Sequence, residues 1–306
     1  MDYKVLFNDK TELTFMIGDP VNHTVAGFLH NAMYDLAAVD AVCIQTRVKK
    51  EDMGKFIDAA LLLNSTGFDI TTPLKEHVIP FLDEVDPISE AFNSVNHVKI
   101  ESGKLIGRGL DGEGMALSIE QRKRIRGSHI LILGAGAVSG PVAAALCQRG
   151  VGKISITNRT LDKAQNIKRK INAMFETEIE VVTSDDLNAL APSIDIVVQT
   201  TSIGFPGNPG MHENLEFIHH LSPETLAAEV LYPSSPFLEE AKQAGLRYVN
   251  GMDMLLNQML LLIDFRFSKK LHPDVLIKAR DALVAAVAIR DSHREYIWVL
   301  QERRGR

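Results

Sequence analysis

The chain has 306 residues, 45% of them hydrophobic, enough for one large or two ordinary domains with packed cores. Its net charge is −6, and the one basic cluster is the short tail Glu302–Arg306, which argues against a nucleic-acid footprint. Cys43 and Cys147 lie far apart in apolar stretches and read as buried thiols of a reducing compartment, not as a disulfide framework. The opening MDYKVLFNDKTEL lacks the layout of a signal peptide, and no run of about 18 apolar residues exists to span a bilayer, so a cytoplasmic location is expected.

Thr14–Ile17 reads as a strand and runs into the loop Gly18–Thr24. A helix from about Gly27 sets Phe28, Leu29, Met33 and Leu36 on one face. Val42–Thr46 is a second strand, Glu51–Leu63 a helix presenting Met53, Phe56, Ile57, Ala60 and Leu61, and Gly67–Ile70 a third strand. Pro73 opens a helix with Lys75 in its first turn. Ser94–Ile100 and Lys104–Ile106 form a hairpin turning at Ser102-Gly103. Asp111 follows in the glycine-rich segment Gly107–Gly114, ahead of a connecting helix to about Arg124. Strands alternating with helices imply an α/β domain over 1–124 and a second over 125–250. The second includes helix Leu161–Phe175, strands Ile194–Gln199 and Ala227–Tyr232, and helix Leu238–Ala244. Two apolar helices, Met252–Phe267 and Val275–Ala288, belong to a closing segment, 251–306, that partly packs back on the first domain.

The stretch HILILGAGAVSGPVAAALCQRGVGKISITNRT at 129–160 carries the clearest chemistry. An apolar strand leads into Gly134, Gly136 and Ser139 at dinucleotide-fingerprint spacing, then a helix and a second strand, Lys153–Thr157. Gly134 makes the tight turn, bare Gly136 lets backbone approach a pyrophosphate, and the phosphates sit on free N–H groups at the helix N-terminus. An NAD site usually places Asp or Glu at the end of the second strand; here stand Asn158-Arg159-Thr160, with Lys163 a turn later. A guanidinium holds a 2′-phosphate bidentately, so the cofactor is read as NADP(H).

Several separated stretches resemble the shikimate dehydrogenase family: GDPVNHTVAGFLHN at 18–31, DITTPLK at 69–75, SVNH at 94–97, LDGEG at 110–114, GAGAVS, NRT, TTSIG at 200–204, VLYPSSPFL at 230–238 and GMDMLLNQ at 251–258. The resemblance implies an N-terminal α/β substrate domain and a C-terminal Rossmann domain with a doubly wound parallel sheet. It implies reduction of 3-dehydroshikimate to shikimate by NADPH, or action on quinate. Lys75 matches the family's catalytic lysine and Asp111 its paired aspartate. Thr24, Thr71, Asn96, Tyr232 and Gln258 match substrate-binding positions. Gly134, Ala135, Gly136, Ala137, Val138, Ser139, Asn158, Arg159, Thr160, Lys163 and Thr200 match cofactor-binding positions, and Gly251 and Met254 match positions beside the nicotinamide. The chemistry of ketone reduction agrees: negative charge grows on the oxygen as hydride arrives, so a cationic proton donor belongs there.

The departures gather on the substrate side. Ala26 stands where the family has the second serine of its carboxylate-binding S-x-S-P, and Asp69 replaces the usual asparagine, bringing a negative charge near the pocket. Leu110 replaces the threonine of N-T-D, and His97 replaces the threonine of V-N-T, either contacting the substrate or filling space. Shikimate itself is thus expected to be a poor or secondary substrate. The alternatives are a paralogue for quinate or another substituted cyclic polyol, and a non-catalytic NADP(H)- or metabolite-binding regulator. The expected partners are small molecules, with no nucleic acid, no membrane and no metal, His23 and His30 having no metal spacing to any cysteine or carboxylate. A homodimer stays open.

Overall fold

The computed structural model describes residues 7–21, 24–71, 73–204, 208, 210, 212 and 214–304, with side chains through Ser292. Asn22, His23 and Thr72 of the motifs quoted above, and the side chains of the basic tail, lie outside the described residues. The chain forms two compact units, each with its own sheet.

The first unit begins with β1 (Glu12–Gly18), α1 (Ala26–Leu36), β2 (Ala41–Arg47), α2 (Met53–Leu62), β3 (Gly67–Ile70) and β4 (Glu84–Val85). It continues, after a segment belonging to the other unit, with β5 (His97–Glu101) and β6 (Lys104–Arg108), giving a mixed sheet in the order β2-β1-β3-β5-β6-β4. Side chains alternate across it. Phe15, Ile17, Phe68, Ile70 and Val98 face Met53, Ile57 and Ala60 of α2, and Met16 faces Ala26 and Tyr34 of α1. The hairpin turns where expected, with Ser102 and Gly103 at φ 53° and 79°, the left-handed pair that a two-residue turn needs. Helix α1 corrects one expectation. Its buried stripe is Ala26, Leu29, His30, Met33 and Tyr34, spaced three and four apart, which leaves Phe28 off the stripe and 49% exposed. Lys75 sits in a single 3-10 turn, Leu74–Glu76, not in a full helix.

The second unit takes α3 (Pro87–Phe92), α4 (Asp111–Glu120), β7 (His129–Leu133), α5 (Ser139–Gln148), β8 (Lys153–Thr157), α6 (Leu161–Asn172), β9 (Glu178–Val182), α7 (Leu187–Leu190), β10 (Ile196–Gln199), β11 (Leu226–Glu229), α8 (Pro236–Gln243) and β12 (Arg247–Val249). All six strands are parallel, in the order β12-β11-β10-β7-β8-β9. This is the doubly wound order, with its switch point between β7 and β10. Its central strands β7, β10 and β11 are apolar on both faces, as a sheet covered on both sides requires.

The division of the chain differs from the sequence reading, which placed the boundary near residue 124. The second unit starts at Gly109 and also claims Pro87–Ser94. Close packing explains both: an added Cβ on Gly112 would collide with the Pro141 carbonyl of α5, and one on Gly140 would strike the ring of Phe92 in α3. Met115, Ala116 and Ile119 of α4 then join the core around β7 and α5. Helix α9 (Gly251–Phe267) is divided, its first eight residues counting with the second unit and Met259 onward, with α10 (Val275–Arg304), counting with the first.

Candidate active site

The cofactor cradle follows from β7. Gly134 has φ +107°, and a Cβ there would stand 2.7 Å from Thr201 Cγ2, so only glycine makes this turn. At Gly136 an added Cβ meets nothing within 4 Å; Gly136 and Ala137 are exposed at the N-terminal side of the ten-residue α5. The hydroxyls beside them are directed inward. Gly136 N–H donates to Ser139 Oγ (2.9 Å), Ser139 Oγ donates to Thr200 Oγ1 (2.7 Å), and Thr200 Oγ1 donates to the Leu133 carbonyl (2.9 Å). Asn158 accepts from Ala135 N–H and donates to the Thr160 carbonyl, tying the β7 turn to the end of β8. Ser139, Thr200 and Asn158 therefore shape the turn through their side chains. Arg159, Thr160 and Lys163 are exposed beyond β8, whose end carries no carboxylate. An open glycine turn, a helix N-terminus and an unencumbered guanidinium fit a dinucleotide bearing a 2′-phosphate.

In the same unit, Asp111 is buried at the start of α4 and accepts a hydrogen bond from Gln258 Nε2 of α9 at 3.0 Å. The close approach depends on Gly114, where a Cβ would lie 2.5 Å from Gln258 Cγ and 2.8 Å from the Met254 carbonyl. Met254 itself is buried in the core of the unit. Gly251 N–H donates to the Leu231 carbonyl (2.9 Å), and a Cβ at Gly251 would collide with the Val230 carbonyl. Tyr232 is half-buried in the loop after β11.

The first unit collects the remaining candidates at one end of its sheet. Thr71 and Lys75 follow the C-terminal end of β3, and Asn96 precedes the antiparallel β5, so the topology brings them together. Asn96 is held through its backbone, its carbonyl accepting from Ile70 N–H (2.9 Å) and its N–H donating to the Arg108 carbonyl (3.1 Å). Thr24 Oγ1 accepts from Ala26 N–H at 3.1 Å, giving α1 the cap that Val25 cannot supply.

Residues 16–98 match the shikimate dehydrogenase substrate binding domain, and residues 116–206 match shikimate/quinate 5-dehydrogenase. The NADP(+)-dependent shikimate dehydrogenase of Desulforamulus reducens is 31% identical over 84% of this chain and 90% of its own length. The chain belongs to the shikimate dehydrogenase family. The Methanococcus maripaludis enzyme of the same name is 29% identical over 91% of this chain and 99% of that one. The ligand-free 5-ketofructose reductase of Gluconobacter sp. strain CHM43 superposes with a TM-score of 0.80 and 28% identity, covering 90% of this chain and all of the other.

Two departures from the family pattern change meaning in the structure. Asp69 does not direct its charge at a pocket; it is 1% exposed on the α1 face of the sheet, where Arg266 of α9 donates to both its oxygens at 2.9 and 2.7 Å. His97, its partner across β3 and β5, lies with Nδ1 2.6 Å from Asp69 Oδ1. Burial opposes the charge on Asp69, but Arg266 and His30 hold its carboxyl well below the usual range. His30 corrects another expectation, since its donor atoms lie within 4.8 Å of those of Cys43 and Asp69. Burial lowers the His30 pKa, yet Asp69 more than offsets this and raises it to about 9. A protonated imidazole and a carboxylate already spanned by a guanidinium make an ion-pair core; metal ligation requires the neutral ring.

Sequence reading missed a second buried group in this family member. Glu229, at the end of β11, accepts from Gln199 Nε2 (2.7 Å), from Leu231 N–H and from Ser235 Oγ, while Gln199 Oε1 accepts from Thr201 N–H. Burial raises its pKa to about 7. It joins the loop bearing Thr200 to the loop bearing Tyr232. The polar residue ending an apolar strand was the available signal.

Proposed function

We propose that this family member transfers a hydride between NADP(H) and a shikimate-like cyclic hydroxy acid, interconverting a ring alcohol and its ketone. The observation that carries the reading is the exposed Gly136-Ala137 turn at the start of α5, with exposed Arg159 beyond a β8 that ends without an acid. The nicotinamide, when bound, supplies or accepts the hydride. Lys75 delivers a proton to the carbonyl oxygen as the hydride reaches its carbon, and in oxidation takes the hydroxyl proton as the hydride leaves. Asp111, fixed by Gln258, is the carboxylate that the family pattern couples to this proton transfer, and Thr71, Asn96, Tyr232 and Gln258 are the candidates for binding the ring hydroxyls. Cys43 and Cys147 are both buried free thiols, which fits the reducing compartment expected from the sequence.

The test is initial-rate oxidation of shikimate and quinate, each with NADP+ and NAD+. Turnover of shikimate with NADP+ supports the reading; nucleotide binding without turnover of either acid rejects the substrate class. Lys75→Ala is expected to abolish turnover while NADPH still binds, measured by nucleotide fluorescence. Unaltered turnover would remove Lys75 from the mechanism.

One observation favours a second reading, a neutral polyhydroxy ketone. Ala26 has no hydroxyl, so of the two donors in the family pattern only the Thr24 hydroxyl, whose oxygen accepts from Ala26 N–H, remains. A hydrogen bond to a charged group contributes about 1.5–3 kcal/mol, so a carboxylate would bind about ten- to a hundredfold more weakly without it. The structural neighbour named for 5-ketofructose makes that compound the discriminating substrate.

A further inference from the structure

The charges buried beneath β3 and β5 do more than fill the first unit. We propose that Asp69, His97 and Arg266 act as a positioning clamp that fixes the strand register presenting Asn96 and Thr71 to substrate. The inference rests on the reading of Asn96 and Thr71 as substrate-binding residues.

The clamp crosses both strands. Besides Asp69, Arg266 donates to the carbonyls of Phe68 in β3 (3.3 Å) and Val98 in β5 (3.0 Å). Gly67 makes room for it: a Cβ there would stand 2.8 Å from Arg266 Nε and would collide with the Val98 carbonyl. Arg266 also lies 3.4 Å from Tyr34 Oη, which in turn meets Thr14 Oγ1 of β1 at 3.0 Å. The guanidinium thus reaches polar groups on β3, β5 and α1 from one fully buried position.

Register is the consequence. Asp69 pairs with His97, so both project to the Arg266 side, whereas Ile70, Val98 and, by alternation, Asn96 belong to the opposite side. A one-residue slip would exchange the two sets, turning Asn96 onto the charged face and stranding His97 in the apolar one. A two-residue slip keeps each set on its own face, and there the apolar residues Phe68, Ile70 and Val98 discriminate less, since an apolar side chain would still meet an apolar one. A carboxylate that must meet both an imidazole and a guanidinium admits one register. The Ile70-to-Asn96 backbone bond lies one step beyond the pinned pair, with Thr71 N–H donating to the Ile17 carbonyl at 2.9 Å just after it. The two departures from the family pattern, Asp69 and His97, therefore belong together with Arg266 as a set.

The experiment compares His97→Ala, Arg266→Lys and Asn96→Ala in the full chain. Arg266→Lys keeps the buried charge and removes the second nitrogen, the milder perturbation should His97→Ala fold poorly. Shikimate, quinate and 5-ketofructose (reduced with NADPH) form the substrate panel, with rates normalised to the fraction that binds NADPH. Both clamp variants should raise KM for the substrate turned over by about tenfold, the scale of a misplacement below 1 Å. KM for the nucleotide should stay unchanged, and His97→Gln, which can still donate to Asp69, should recover most of the loss. If melting temperature falls while substrate KM stays at the wild-type value, the clamp is merely structural and the proposal is overturned. If Asn96→Ala leaves KM unchanged, or no panel member is turned over, the functional reading fails and takes this proposal with it. Asn96→Ala raising KM while both clamp variants leave it unmoved would overturn the proposal alone.

Discussion

Replacing Glu229 by glutamine should alter the pH dependence of stability more than stability itself. The folded protein keeps Glu229 protonated up to about pH 7, whereas the unfolded chain loses that proton near 4.5. Between these values the native state binds the extra proton, so stability falls as pH rises from about 4.5 to about 7 and is level above. At about 1.4 kcal/mol per pH unit, the shift amounts to roughly 3 kcal/mol. Glutamine cannot ionise; its amide oxygen can still accept from Gln199 Nε2 and Leu231 N–H, and its amide nitrogen can keep the Ser235 contact by donating to Ser235 Oγ where the native carboxyl accepts from it. Urea unfolding of wild type and Glu229→Gln, followed by circular dichroism at several values between pH 5 and 8, reads the difference. The stability of the variant relative to wild type should improve by roughly 2.5 kcal/mol across that window. Parallel curves would refute the reasoning, because they would mean that Glu229 is ionised in the folded state throughout.

Arg159→Ala should raise KM for NADPH by tenfold or more (about 1.4 kcal/mol or greater) and leave KM for NADH nearly unchanged; equal effects on both nucleotides in initial-rate assays would remove the 2′-phosphate reading. Arg266→Met should cost about 3–5 kcal/mol, because it leaves Asp69 buried without its main counter-charge. The double variant Asp69→Asn with Arg266→Met should recover at least half of that loss in the same denaturation assay. Additive single effects would show that the two charges do not depend on one another.

The sequence made the second unit legible because its signals are local. Gly134, Gly136 and Ser139 lie within six residues, and the strand before them, HILIL, is an apolar run that no surface loop would tolerate. The edge strand β9, EIEVV, escaped notice because half of it faces water and its charges resemble a loop. Helix α3 is six residues long, too short to show a periodic stripe, and only its packing on Gly140 reveals that it belongs to the other unit. The role of Asp69 and His97 is illegible in the sequence for a different reason. Their meaning depends on Arg266, 197 residues from Asp69 along the chain, and no spacing rule connects them. A buried charge read without its partner looks like a functional one.

The hydroxyl relay behind the glycine turn has a thermodynamic consequence for cofactor capture. From Gly136 through Ser139 and Thr200 to the Leu133 carbonyl, each donor already has its acceptor before any nucleotide arrives. The ordering entropy of the loop is therefore spent during folding and does not recur at binding. A phosphate arriving at α5 meets a finished surface, so little of its attraction is diverted into organising the protein.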